Sequence, residues 1–130
     1  MDKTIVLFKF IFHTSVFFLI ILSLYPGSLL GLLLYDDLGQ QPNLIDNPFG
    51  TTINHFIYYF CVSLLGFFFH SRDENFKKLV YVMFFLSVIL EFLHFIIPNR
   101  SFQIGDLFGN ILGVIVAYFI VKIYLFFNRP

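Results

Sequence analysis

The run Glu91-Phe-Leu-His94-Phe-Ile-Ile-Pro98-Asn99-Arg100-Ser101-Phe-Gln-Ile-Gly105-Asp106-Leu-Phe-Gly109-Asn110 joins two apolar stretches and places charged groups among them. Charge at membrane depth is costly, so such groups face a bundle interior or a wet cavity and find a partner there. The run therefore implies helices packed so that Glu91, His94, Arg100, Asp106 and Asn110 meet one another rather than acyl chains. Glu91 precedes Pro98 by seven residues, which at about 1.5 Å per helical residue puts it ~10 Å below the connecting loop.

Around this run the chain is 58% apolar, with 21 Phe in 130 residues, and its mean hydropathy is +0.85. Soluble domains hold about 45–50% apolar residues, and a soluble fold this small cannot bury so many large side chains. Four stretches approach the ~20 residues that cross a bilayer: Phe8 to Leu30, Thr52 to Phe69, Leu79 to Ile97, and Ile104 to Phe127. They predict an all-α, integral membrane four-helix bundle over residues 1–130, a single domain without an internal linker or repeat. The first stretch follows Lys3 and Lys9 but runs past Pro26 without a small-residue cleavage site, as in an uncleaved signal anchor. Residues 35–50 are rich in Pro, Gly, Asn and Asp, and predict an ordered loop with a helical turn on the membrane surface. Residues 71–78 form a short charged connector.

Eight basic residues balance eight acidic ones, which argues against a nucleic-acid partner, so the position of each charge matters more than the sum. With the amino terminus in the cytoplasm, Lys3, Lys9, Arg72, Lys77, Lys78, Lys122 and Arg129 lie inside and Arg100 alone outside. The positive-inside rule thus predicts a multi-pass protein with both termini cytoplasmic. Cys61 is the single cysteine, which excludes an intrachain disulfide and a cysteine-based metal centre.

In this orientation His55, Glu91, His94, Asp106 and Asn110 all fall in the outer half. Glu91 and His94 share a helix face that Ser87 extends, Asp106 and Asn110 share another, and His55, Tyr59 and Ser63 form a third stripe. Gly105, Gly109, Gly113 and Ala117 recur every four residues, a pattern that lets the last helix approach a neighbour closely and turns Asp106 and Asn110 inward.

The segment from Glu91 to Gly113 resembles the VanZ-like proteins, small bacterial membrane proteins. In that family the third helix ends in Glu-x-x-Gln, followed by Pro-Gly-Arg-x and then Asp-x-x-x-Asn-x-x-Gly on the fourth helix. Glu91, Pro98, Arg100, Ser101, Asp106, Asn110 and Gly113 match, as do His55-Phe56 of an earlier Asp-Lys-x-x-His-Phe element. The chain departs from the pattern at Thr51-Thr52 in place of Asp-Lys, at His94 in place of Gln, and at Asn99 in place of Gly. The resemblance implies a bacterial cytoplasmic-membrane protein concerned with the cell envelope, the namesake being associated with low-level resistance to the glycopeptide teicoplanin.

Several chemistries fit these residues. Arg100 can clamp a phosphate through bidentate contacts while Glu91, Asp106, Asn110, His94 and His55 orient the ligand. The expected partners are membrane lipids, an anionic phosphate-bearing envelope precursor among them, and a partner membrane protein is the alternative if the polar set serves packing alone. A small ion or proton pathway through the histidines ranks third. Glu91-x-x-His94, extended by His55 and Asp106, gives a ligand list for zinc. Di-iron bundles use two such motifs and this chain has one, so the expectation is no metal and no cofactor. Ser101 is expected to cap the last helix, and His13 and His70 to lie in helix interfaces towards the inner side.

Overall fold

The computed structural model describes residues 3–43 and 45–128, so Arg129 of the positive-charge count lies outside the described residues. These residues form five helices and no strand: α1 (Lys3–Leu24), α2 (Leu29–Tyr35), α3 (Thr52–His70), α4 (Phe76–Leu93) and α5 (Ile104–Phe127). The helices α1, α3 and α5 are long and apolar enough to cross a membrane. Helix α4 is 18 residues long but carries Lys77, Lys78 and Glu91. Large apolar side chains such as Phe10, Phe17, Tyr81 and Phe85 point outward, as a lipid-facing surface requires.

The first expected span, Phe8 to Leu30, is two elements. Helix α1 stops at Leu24 and the chain turns through Tyr25-Pro26-Gly27, with Gly27 at φ +82°. Proline disfavours a helical residue before it, and a left-handed glycine ends the turn. Ser28 then starts α2, its hydroxyl accepting from the Gly31 amide at 2.9 Å. The described residues between 36 and 51 form turns and no helix; the short helix α2 precedes the segment where a helical turn was expected. Helix α4 also ends sooner than expected: from His94 onward amides bond three residues back (His94 to Glu91, Phe95 to Phe92, Ile96 to Leu93) and the chain reaches Pro98 as turns. Glu91 therefore sits in the last turn of α4 and not ~10 Å below its end.

The closest helix pair is α3 with α5, and the glycine stripe explains it. A Cβ at Gly109 would lie 2.6 Å from the Thr52 carbonyl oxygen, and one at Gly113 would lie 2.7 Å from the Phe56 carbonyl oxygen and 2.8 Å from the Phe60 amide. Those neighbours are backbone and cannot yield. With lipid as apolar as leucine, helix association relies on such close packing. It turns Asp106, Gly109, Asn110, Gly113, Val114, Ala117 and Val121 inward as one buried face. Helix α1 docks on α3 by laying the Phe12 ring over Gly66 and stacking Phe8 on Phe69 at 4.4 Å.

Candidate functional site

The polar groups converge where α1 and α4 end and α3 and α5 begin. Two helix termini organise them. The first turn of α5 presents unpaired backbone N–H groups and the positive end of its dipole, and both buried carboxylates lie there. Asp106 belongs to that turn, while Glu91 Oε1 reaches across from α4 to accept the Gln103 amide at 3.0 Å. The broken end of α1 presents unpaired carbonyls, and Arg100 lies against them, donating from Nε to Tyr25 O at 3.2 Å and from Nη2 to Leu22 O. Asp106 and Arg100 thus each sit at a helix end of opposite polarity, and Glu91, although in the last turn of α4, reaches across to the α5 N-terminus.

Around Asp106 the hydrogen bonds are dense. Thr51 Oγ1 donates to both carboxylate oxygens at 3.1 and 3.0 Å, and Thr52 Oγ1 donates to Oδ1 at 3.2 Å. His55 Nε2 is 3.5 Å from Oδ2. On the other side of the imidazole, Nδ1 is 2.9 Å from Asn110 Oδ1, and the Asn110 amide nitrogen donates to the Ser87 carbonyl at 3.3 Å, which fixes the direction of the amide. The stripes expected on the second, third and fourth spans, here α3, α4 and α5, come together: His55, Asn110 and the Ser87 backbone carbonyl form one hydrogen-bonded row, while the Ser87 hydroxyl bonds to Phe84 O within α4.

Glu91 is 1% exposed. Its Oε1 faces His94 Nδ1 at 3.2 Å as well as the Gln103 amide. Its Oε2 is buried with no hydrogen-bond partner among the described residues, 4.0 Å from His55 Nδ1. His94 Nε2 faces the Ser23 carbonyl at 3.1 Å, so both of its ring nitrogens face oxygen atoms. Of the six residues proposed from sequence, five form one network: Glu91, His94, His55, Asp106 and Asn110. Arg100 adjoins it but bonds to the end of α1. The described ion pairs include no Arg100–Glu91 or Arg100–Asp106 bond; the carboxylates and the guanidinium act on each other through space.

Arg100, His55 and His94 also line a cavity of about 140 Å³ with Ser23, Ser28, Thr51, Asn54 and Tyr58, bounded by Leu19, Leu22, Leu29, Leu30 and Pro42. No described lining residue is acidic; Glu91 and Asp106 are not part of the wall. Separately, one ligand atom from each of His55, Glu91 and Asp106 lies within 4.8 Å of the others, so these three side chains have the spacing to share an ion.

Two parts of the site were not read from sequence. The Thr51 and Thr52 hydroxyls are the chief partners of Asp106, and their signal was the replacement of Asp-Lys at that point. The α1 carbonyls have no side-chain signal; the break at Pro26-Gly27 is what leaves them unpaired. Ser101 does not cap α5, which starts later with Gln103 as N-cap and no side-chain cap bond. Asn99 is left-handed at φ +57°, a conformation that glycine adopts freely and asparagine tolerates best among the other residues, which accounts for this departure from the family's Pro-Gly-Arg.

With the geometry in place, the comparison with known families is decisive for class. Residues 4–126 match the family model described as VanZ/LLP1. The chain belongs to the VanZ/LLP1 family. No curated protein and no solved structure matches it. In this VanZ/LLP1 member the motif residues Glu91, Asp106 and Asn110 are all buried in the network, as is His94, which departs from the motif, and Gly113 makes the helix contact that brings them together.

Proposed function

We propose that this VanZ/LLP1 protein binds the phosphate of an anionic envelope lipid or glycan-lipid intermediate at the outer leaflet of the bacterial cytoplasmic membrane. In this reading α4 is a fourth span. Its 18 residues reach about 27 Å at 1.5 Å each, and Lys77 and Lys78 at its start extend to the headgroups. The positive-inside rule then places Lys9, Arg72, Lys77 and Lys78 in the cytoplasm with both termini, and the Arg100 end outside.

The observation that carries the reading is the composition of the cavity wall. It offers a guanidinium, two imidazoles and hydroxyls on one side, aliphatic side chains of α1 and α2 on the other, and no described carboxylate. That is the surface an anionic amphiphile would meet. Arg100 has five N–H groups and directs two nitrogens to α1, which leaves donors for a phosphate. Sites for drug-sized ligands run to about 300–1,000 Å³, so a cavity of about 140 Å³ admits a headgroup phosphate, and acyl chains would lie along the outer faces of α1 and α2. Envelope biology and glycopeptide susceptibility follow as a consequence, since capture of such a lipid would alter the precursors exposed at the surface.

A second reading has its own support: because Arg100 ties the loop before α5 to the end of α1, the polar set is also suited to packing alone in an accessory protein. Mass spectrometry of co-purifying lipids separates the two. Wild-type protein is expected to retain phosphate-bearing lipids. Arg100→Gln, and Leu30→Glu, which adds a carboxylate to the wall without touching the α1 bonds, should both lose them. An unchanged lipid profile in Leu30→Glu, together with reduced abundance of Arg100→Gln in the membrane, would refute the lipid reading in favour of packing.

A further inference from the structure

We infer that His55, Glu91 and Asp106 form a binding site for one divalent transition-metal ion of the Zn²⁺ or Mn²⁺ type. The inference goes beyond lipid binding and does not depend on it. Two carboxylates and a histidine from three helices bring ligand atoms within 4.8 Å of one another, and both carboxylates are buried. Spacing alone argued against a metal because it gave a single Glu-x-x-His motif. The fold selects a different histidine: His94 faces Oε1 and the Ser23 carbonyl, while His55, from α3, faces the carboxylates of both α4 and α5.

A cluster of acids is not in itself a site, and the independent observation is Glu91 Oε2. It is fully buried, has no hydrogen-bond partner among the described residues, and lies 4.0 Å from the His55 ring at Nδ1. Burying a carboxylate oxygen unpaired is unfavourable, whereas a cation between Glu91, Asp106 and His55 would give it a partner and balance two negative charges. The other features of a metal centre are present. His55 Nδ1 is engaged by Asn110 Oδ1 at 2.9 Å, leaving Nε2 to coordinate, and an outer hydrogen bond of this kind fixes the tautomer of metal-binding histidines. Glu91 Oε1 is held by the Gln103 amide and His94, and Asp106 by Thr51 and Thr52. Bonds of about 2.1 Å in a tetrahedral site separate ligand atoms by roughly 3.4 Å; His55 Nε2 lies 3.5 Å from Asp106 Oδ2 already, and the Glu91 carboxylate, 4.0 Å from the His55 ring at its nearest, would close in on the ion. One imidazole and two carboxylates without a thiolate suit zinc or manganese. His55 also lines the cavity, so an ion here would have an open side towards it.

The test uses full-length protein, chelator-treated in a detergent free of phosphate, and the metals themselves as probes. Wild type should take up one Zn²⁺ or Mn²⁺ per chain by elemental analysis, melt at a higher temperature with metal, and show visible bands with Co²⁺ that Zn²⁺ displaces. Glu91→Gln and Asp106→Asn should each weaken uptake by more than about 100-fold, since even outer partners of metal ligands contribute roughly 10–100-fold. His13→Gln, midway along α1 and outside the triad, should leave it unchanged. Absence of stoichiometric uptake and of Co²⁺ bands in wild type would overturn the site whatever the variants do. So would uptake that survives both carboxylate substitutions, or that is lost only in His13→Gln. Phosphate-lipid retention by the metal-free protein is read separately, so failure of either proposal leaves the other standing.

Discussion

Charge secures both ends of α1, but in different surroundings. At the Lys9 end, Lys9 Nζ meets Asp73 at 2.7 Å, and His70 Nδ1 reaches the same carboxylate at 2.7 Å. That carboxylate side chain is 38% exposed. At the Arg100 end, the guanidinium lies on the Leu22 and Tyr25 carbonyls, and the nearby Glu91 and Asp106 are almost wholly enclosed. The first arrangement resembles a surface ion pair, which water screens and which contributes little. In the second, each charge has displaced its water and depends on fixed donors, helix ends and neighbours, so removing one partner strands another. The two ends therefore predict very different sensitivities to substitution.

The largest effect is expected at Asp106→Ala, which strands the Thr51 and Thr52 hydroxyls and removes the acid facing His55. A buried pair broken on one side costs about 3–5 kcal/mol, and thermal melting in detergent should show it. Asp106→Asn keeps an acceptor for both threonines and should melt far closer to wild type. If the two variants melt alike, the buried-network description of this end is wrong.

Next in size is the α3–α5 contact that encloses the Arg100 end. Gly113→Leu forces a side chain against the Phe56 and Phe60 backbone and should cost roughly 3 kcal/mol or more, at or beyond the usual range for overpacking. Gly39, whose nearest neighbour is the Asp37 side chain, provides a control expected to tolerate alanine with little change. Comparable melting of the two variants would sever the link between the glycine stripe and the enclosed network.

Asn99 tests a smaller local term. With φ at +57°, Asn99→Val should lose about 1–2 kcal/mol, the cost of a left-handed conformation for a residue with a bulky Cβ. Asn99→Gly should be neutral or better. The Arg100 contacts depend on this turn, so Val is also expected to weaken lipid retention where Gly does not.

These sites differ in how far the sequence revealed them. The apolar spans, the glycine stripe and the meeting of His55 with Asn110 and Asp106 all follow from helical periodicity, which holds wherever the chain stays helical. The errors fall where it does not. Pro26-Gly27 splits the first stretch, and the approach to Pro98 unwinds the end of α4, so Glu91 lies nearer the helix end than its distance from the proline implies. Arg100 was expected to meet the acids because it is the cation nearest to Glu91 in the sequence. Its bonds go to backbone carbonyls, groups that every residue carries and that become available only where a helix ends. Thr51-Thr52 was readable as a loss of two charges, but its role as the donor pair for Asp106 needed the register of α3 against α5.

The smallest effect belongs to the Lys9 end, and it has a pH signature. The Lys9 ammonium, hydrogen-bonded to Asp73, is the main influence holding that carboxyl below its ordinary value; burial opposes it, and His70 adds to the lowering. A carboxyl depressed on folding stabilises the protein above its unfolded pKa, near 3.9, and loses that contribution as pH falls through the folded value. Lys9→Ala should thus lower stability by no more than about 1 kcal/mol near neutral pH, because the pair is only part-buried and water still screens it. The difference from wild type should shrink below about pH 4, where the carboxyl takes up its proton, and also in ~1 M salt. Melting curves of the two proteins across that range provide the check. A deficit that persists at low pH and high salt would mean that the Lys9 stem, packed on its neighbours, matters more than its charge, and the contrast between the two ends of α1 would then be one of packing as much as of electrostatics.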